Sequence, residues 1–151
     1  MRTVRMERIV HAIELPAPPG HVFDFVTNTA QWQRWHPATH SVRNAPDRPL
    51  ALGETTIERI RAAHREFDAQ WTVTACERPV LWCIETATPL GASVLTYRFA
   101  PSAGGGTRFE RTCDFRSEGA WRLLDGNLTR WMLARQARQA LANLQVLLAT
   151  A

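Results

Sequence analysis

Apolar residues recur along this chain with two periods, alternating through most of its length and returning every three or four positions in its C-terminal stretch. Residues 8–15 set Ile9, His11, Ile13 and Leu15 on one side and Val10, Ala12 and Glu14 on the other, the pattern of a strand. Pro16-Ala17-Pro18-Pro19-Gly20 ends it, and Pro19 suits the first turn of a helix whose Val22, Phe23 and Val26 recur at helical spacing. A second short helix over 30–35 carries Trp32 and Trp35 three apart, and His36-Pro37 terminates it.

Alternation then resumes. Residues 40–43 read as a weak edge strand, followed by a proline-broken loop that Gly53 resets. Thr55, Ile57, Arg59 and Arg61 alternate with Thr56, Glu58 and Ile60, and the long run 66–77 puts Phe67, Ala69, Trp71, Val73 and Ala75 on one face. Strands are predicted over 80–88, 93–100 and 107–116, separated by Pro89-Leu90-Gly91 and by a glycine-rich turn ending at Gly106. The last two carry Leu95, Tyr97 and Phe99, and Phe109, Arg111, Cys113 and Phe115, on their apolar faces.

Residues 118–151 lie in the longest proline-free run, and a helical wheel gathers Leu133, Ala134, Ala137, Leu141, Leu144 and Leu148 into one stripe, with Gln136, Gln139 and Asn143 opposite. A helix with one apolar stripe needs a partner, and the rest of the chain offers a sheet. The expected fold is α+β: a curved antiparallel sheet of about seven strands, two short helices after the first strand, and a long C-terminal helix packed over a cavity. The inward set of such a sheet is rich in rings, namely Trp71, Tyr97, Phe99, Phe109 and Phe115, with Trp32 or Trp35 closing one end and Trp131 on the flank of the helix.

Composition narrows the picture. The 151 residues are 45% apolar, enough for one core and one domain over 1–151. No stretch is long and apolar enough to span a bilayer, and the N-terminus lacks a signal-peptide core, so the chain reads as cytoplasmic. All 18 basic residues are arginine and the net charge is +4, but the arginines are scattered among acids, without the basic, aromatic-interleaved cluster of a nucleic-acid binder. Cys76, Cys83 and Cys113 are odd in number and form no metal or redox motif, so they read as free thiols.

Several of these segments together resemble the polyketide cyclase/dehydrase group of the START-like, or SRPBCC, superfamily, which has the helix-grip fold. The resemblance rests on residues 13–23, on Trp32-Gln33-Arg34-Trp35-His36-Pro37, on Gly53, on Trp71-Thr72-Val73-Thr74, on Tyr97-Arg98-Phe99 and on Gly106-Thr107-Arg108. It spans the chain and implies a deep hydrophobic cavity for a lipid, aromatic polyketide or similar ligand, gripped beneath the long helix. It brings no universal catalytic residue, cofactor or metal.

Polar residues on otherwise apolar faces are the candidates for chemistry. Arg111, between Phe109 and Cys113, is the leading one: a guanidinium in an apolar pocket holds a carboxylate, enolate or phenolate. The alternative is an ion pair with Glu85, if Leu81, Cys83 and Glu85 face inward. His11 is a candidate proton shuttle, and Tyr97 a second. His36 and His40 have the spacing of two metal ligands, but Pro37 breaks the helix between them, and no nucleophile, zinc or phosphate-loop motif occurs. The expected ligand contacts are Trp35, Trp71, Tyr97, Phe99, Phe109, Arg111, Phe115, Ala137 and Leu141. Ligand binding is the first reading; a cyclase, aromatase or dehydratase using Arg111 with His11 or Tyr97 is the second, and a protein-interaction module of the same fold the third. Leu128 and Val146 either support a homodimer or widen the packed face of the helix.

Overall fold

The structure is a computed structural model that describes residues 6–62, 65–88, 91–117 and 126–149. Strand β1 (Glu7–Leu15) leads through Pro16 to Pro18 into helix α1 (Pro19–Val26), with proline in its first turn, and into a 3-10 helix (Thr29–Arg34) whose Ala30 N–H donates to the Asn28 side chain. Strands β2 (Thr39–Arg43), β3 (Thr55–Ala62), β4 (Arg65–Glu77), β5 (Leu81–Thr88), β6 (Gly91–Pro101) and β7 (Thr107–Ser117) follow, and helix α2 (Gly126–Ala149) closes the described chain. The strands form one curved antiparallel sheet in the order β1-β7-β6-β5-β4-β3-β2. This is the expected helix-grip architecture. The start of the predicted C-terminal helix, 118–125, and the Leu128 side chain lie outside the described residues.

The inward face of the sheet follows the alternation of the sequence, with two departures. In β4 the register shifts between Val73 and Ala75, so the face carrying Trp71 and Val73 continues through Cys76 instead of Ala75. In β5 the inward residues are Trp82 and Ile84, both fully buried, and Glu85 is exposed on the outer face. Glu85 therefore cannot pair with Arg111. The reason is volume: an indole and a branched aliphatic side chain gain more from burial than Leu81 and Cys83, and they take the core.

Half of the interior is solid. Rings interlock from Trp32 through Trp82, Tyr97, Phe109 and Phe99 to Phe23, with successive centroids 5.1 to 6.3 Å apart. Over them lies the C-terminal part of α2, whose Ala137, Ala140, Leu141, Leu144 and Leu148 are buried. The two alanines let the helix backbone come close. Asn143, predicted on the polar side, donates from Nδ2 to the Trp35 carbonyl at 2.9 Å, and Gln145 donates to the Glu14 carbonyl at 3.2 Å, fixing the helix to the 3-10 turn and to β1.

Candidate functional site

Toward its N-terminal end α2 turns larger residues, Met132, Leu133 and Gln136, to the sheet, and a cavity of about 190 Å³ opens beneath them. Its walls carry the apolar Ile60, Phe67, Trp71, Leu95 and Phe115, and Thr86, Gly91, Ser93 and Arg116 also line it. Four side chains that carry chemistry reach into it: His36, Glu58, Tyr97 and Arg111.

Arg111 is centred on β7, directly across from His11 on β1 and from Tyr97 on β6. It is 8% exposed. It is the register partner of Tyr97, whose ionised form its charge favours against burial, and its Nη2 lies 3.4 Å from Nε2 of His36. Nε has no hydrogen-bond partner, and among the described residues no carboxylate lies within ion-pair distance of the group. A buried cation without an ion-pair partner is costly; among the described residues Trp35 Nε1, Thr86 Oγ1 and Arg116 Nε are likewise buried without a hydrogen-bond partner.

His36 enters from the turn after the 3-10 helix, beside Pro37, while His40 is exposed on β2. The Ala38 N–H donates to its Nδ1 at 3.3 Å. Burial and the neighbouring Arg111 charge push its pKa down to about 3, so the ring is neutral at physiological pH. A neutral imidazole has one N–H and cannot accept at both nitrogens. Of the two donors against it, the Ala38 N–H and Arg111 Nη2, one goes unanswered.

Glu58 is the buried acid of the site, 5% exposed on β3. One carboxyl oxygen accepts from Trp71 Nε1 at 3.0 Å and the other is hydrogen-bonded with the Thr39 hydroxyl. Burial raises its pKa above the ordinary glutamate value, against the opposing pull of those hydrogen bonds and of Arg111. Burial likewise raises Tyr97 and Cys113.

Of the residues expected at the site, Trp71, Tyr97, Arg111 and Phe115 line the cavity. Trp35, Phe99, Phe109, Ala137 and Leu141 do not; they belong to the packed half, where α2 approaches too closely to leave space. Trp32 takes the place foreseen for either tryptophan at the end of the cavity. His11 is half-buried on the inner face of β1 but outside the cavity lining, its pKa lowered by burial and by Arg138 and Arg111. Gln136, placed opposite the apolar stripe, lines the cavity instead.

Glu58 and His36 were missed as site residues. For Glu58 a signal existed: Arg59 and Arg61 cannot face a core, so Thr56, Glu58 and Ile60 must. Nothing local indicates the aim of His36.

A family model described as polyketide cyclase / dehydrase and lipid transport matches residues 6–149. Among solved structures, the chain is similar to a START superfamily protein from Mycobacterium smegmatis, with 9% identity and TM-score 0.78 over 95% of this chain and 97% of that one. It is also similar to a protein from Thermus thermophilus, with 15% identity and TM-score 0.77 over 96% and 100% of the two chains. The Zhui aromatase/cyclase from Streptomyces sp. R1128 shares 16% identity and TM-score 0.73 over 97% and 93%. No curated protein matches the chain in sequence. At these identities the solved structures speak for the fold alone, while the family match covers nearly the whole chain: the protein belongs to the polyketide cyclase / dehydrase and lipid transport family.

Proposed function

We propose that this protein binds a small, largely apolar molecule in the cavity beneath the N-terminal half of α2 and holds an oxygen of that molecule at Arg111. The observation that carries this reading is the buried guanidinium, with an orphaned Nε and no carboxylate within ion-pair distance among the described residues, in a largely apolar chamber. A bound carboxylate, phenolate or enolate completes its hydrogen bonds and neutralises its charge. Size supports a compact ligand: an apolar cavity of about 150 Å³ admits one benzene ring, and this one is about 190 Å³.

Two measurements test the reading. Native mass spectrometry of the protein purified from its own host, followed by denaturation, is expected to release a stoichiometric small aromatic or acyl compound. Arg111→Met is expected to weaken binding of an aromatic carboxylate by about tenfold or more, the worth of one charge-assisted contact. Its melting temperature should be unchanged or higher, because replacing an unpaired buried charge by an apolar chain of similar volume relieves desolvation. Unchanged affinity removes Arg111 from the site.

A second reading, cyclisation or dehydration of a polyketide-like substrate, is favoured by the convergence of His36, Glu58 and Tyr97 with Arg111 on one cavity. In it Arg111 stabilises the developing enolate, and Tyr97, its register partner on β6, donates or receives the proton, the role foreseen for His11 or Tyr97. Turnover of a short poly-β-keto thioester mimic that is lost in Tyr97→Phe, with binding retained, is the expected sign of that activity.

A further inference from the structure

Resting on the ligand-binding reading, we propose that the ligand is an aromatic carboxylate and that His36 is a second residue holding it: the His36 Nε2–H and the Nε–Nη2 edge of Arg111 form a cradle of donors for the carboxylate head, in a small side chamber apart from the ring.

The side chamber holds about 30 Å³ and is lined by Ile9, His36, Arg111, Cys113, Leu133 and Gln136. All of these but Ile9 also line the larger cavity, so the two spaces adjoin. At roughly 10–15 Å³ per water-sized group the side chamber has room for the two oxygens of a carboxylate and none for a ring. The ring body belongs in the larger cavity, against Trp71 and Phe115. Glu58 lines that cavity but not the side chamber, and its carboxyl is taken up by Trp71 and Thr39.

What His36 presents to Arg111 follows from its other nitrogen. The Ala38 N–H is fixed by the backbone, can only donate, and has His36 Nδ1, 3.3 Å away, as its one acceptor among the described residues. Nδ1 therefore carries no proton, and the ring hydrogen is on Nε2. A ring that took up a second proton would keep that hydrogen, so Nε2 donates in either state of charge. Arg111 Nη2, 3.4 Å from it, also has only hydrogens to offer. Two donors face each other with no acceptor between them, and Arg111 Nε has none either. Nε and Nη2 are the edge by which Arg8 holds Asp114 and Arg78 holds Asp24, one carboxylate oxygen on each nitrogen. Among the described residues no carboxylate stands at that edge of Arg111. A ligand carboxylate there puts one oxygen on Nε and the other on Nη2. An oxygen about 2.8 Å from Nη2, the ordinary length of a charge-assisted bond, is also able to reach His36 Nε2 across the 3.4 Å that separates the two nitrogens.

The test is equilibrium dialysis, at neutral pH, of 2-naphthoate and of 2-methylnaphthalene, the same body without the acid head, against wild type, His36→Gln and His36→Leu. A glutamine amide N–H stands about where Nε2 does and leucine has no donor. The ratio of naphthoate to methylnaphthalene affinity is expected to fall about tenfold in His36→Leu, the worth of one hydrogen bond to a charged group, and to stay within about twofold of wild type in His36→Gln. Taking the ratio separates a lost donor from a disturbed cavity, which weakens both probes alike. Ring-nitrogen NMR of the wild type, assigned through the backbone, is expected to show His36 with its hydrogen on Nε2 and that proton moving downfield when naphthoate is added; this measurement stands even if a variant does not fold. A bare Nε2, a proton that naphthoate does not move, a ratio unchanged in His36→Leu, or one that falls as far in His36→Gln overturns the proposal and leaves Arg111 as the anchor. Uptake of methylnaphthalene alone by the wild type overturns the anchor as well, and uptake of neither probe overturns the ligand-binding reading itself.

Discussion

At the scale of single residues, His36 shows how a side chain is set by what surrounds it. A histidine in water takes up a proton near pH 6.5, whereas in the folded protein burial and Arg111 defer that step to about pH 3. Between these values the unfolded chain holds a proton that the folded chain refuses, so stability falls as the pH drops from about 6.5 towards 3. His36→Gln is therefore expected to lose less melting temperature than wild type over that interval, as read by circular dichroism. Asp24, Asp47, Glu54 and Glu66, held below their ordinary values by hydrogen-bonding partners, also lose stability on acidification. They do so in both proteins, and the difference isolates His36. Arg111 was legible as an arginine on an apolar face of β7. Its environment was not: the acid facing the same cavity is Glu58, on β3 rather than β5.

At the scale of elements, α2 is one helix with two jobs. Its C-terminal part is packed, and its N-terminal part roofs a space. Leu144→Ala, at a fully buried position over the ring cluster, is expected to cost about 2–5 kcal/mol in urea unfolding while leaving affinity for an aromatic carboxylate unaltered. Gln136→Leu is expected to do the reverse, lowering affinity with little loss of stability, because it removes a polar group from both chambers. Leu141→Arg, which the wheel places towards a cavity, would destabilise by burying an unpaired charge in packed core. The strand faces were legible from period-two alternation wherever no bulge intervened. The shift in β4 that brings Cys76 inward in place of Ala75 leaves no local trace, because a bulge is a property of the pairing between two strands.

At the scale of the molecule, cavity volume decides which ligands are admissible. A chamber of about 190 Å³ is nearer to a one-ring cavity than to one that encloses a long acyl chain. In a thermal-shift series of aromatic carboxylates with one to four fused rings, the stabilisation is expected to peak at one or two rings and to vanish at four; a rise through four rings would show that the larger bodies extend through the mouth. Among the described residues no helix is long and apolar enough to cross a membrane. Trp131 and Val146, 53% and 66% exposed, stand on the outer surface of α2. The Arg135 guanidinium lies 5.5 Å over the Trp131 ring, and neither residue carries a claim about a second copy.

The order of elements, the alternating faces of the strands and the apolar stripe of α2 were determined by the sequence by itself, because each follows from residue spacing within one element. So was the presence of an arginine, Arg111, among the apolar residues of β7. The tertiary structure decided which inward residues touch one another and which touch empty space. Phe99 and Phe115 have the same pattern in their strands, yet one is locked in a ring cluster and the other lines the cavity. The distance between a helix and a sheet is fixed by the summed volumes of side chains from several distant segments, with Ala137 and Ala140 drawing α2 close at one end and Met132, Leu133 and Gln136 holding it away at the other. No window of the sequence contains that sum.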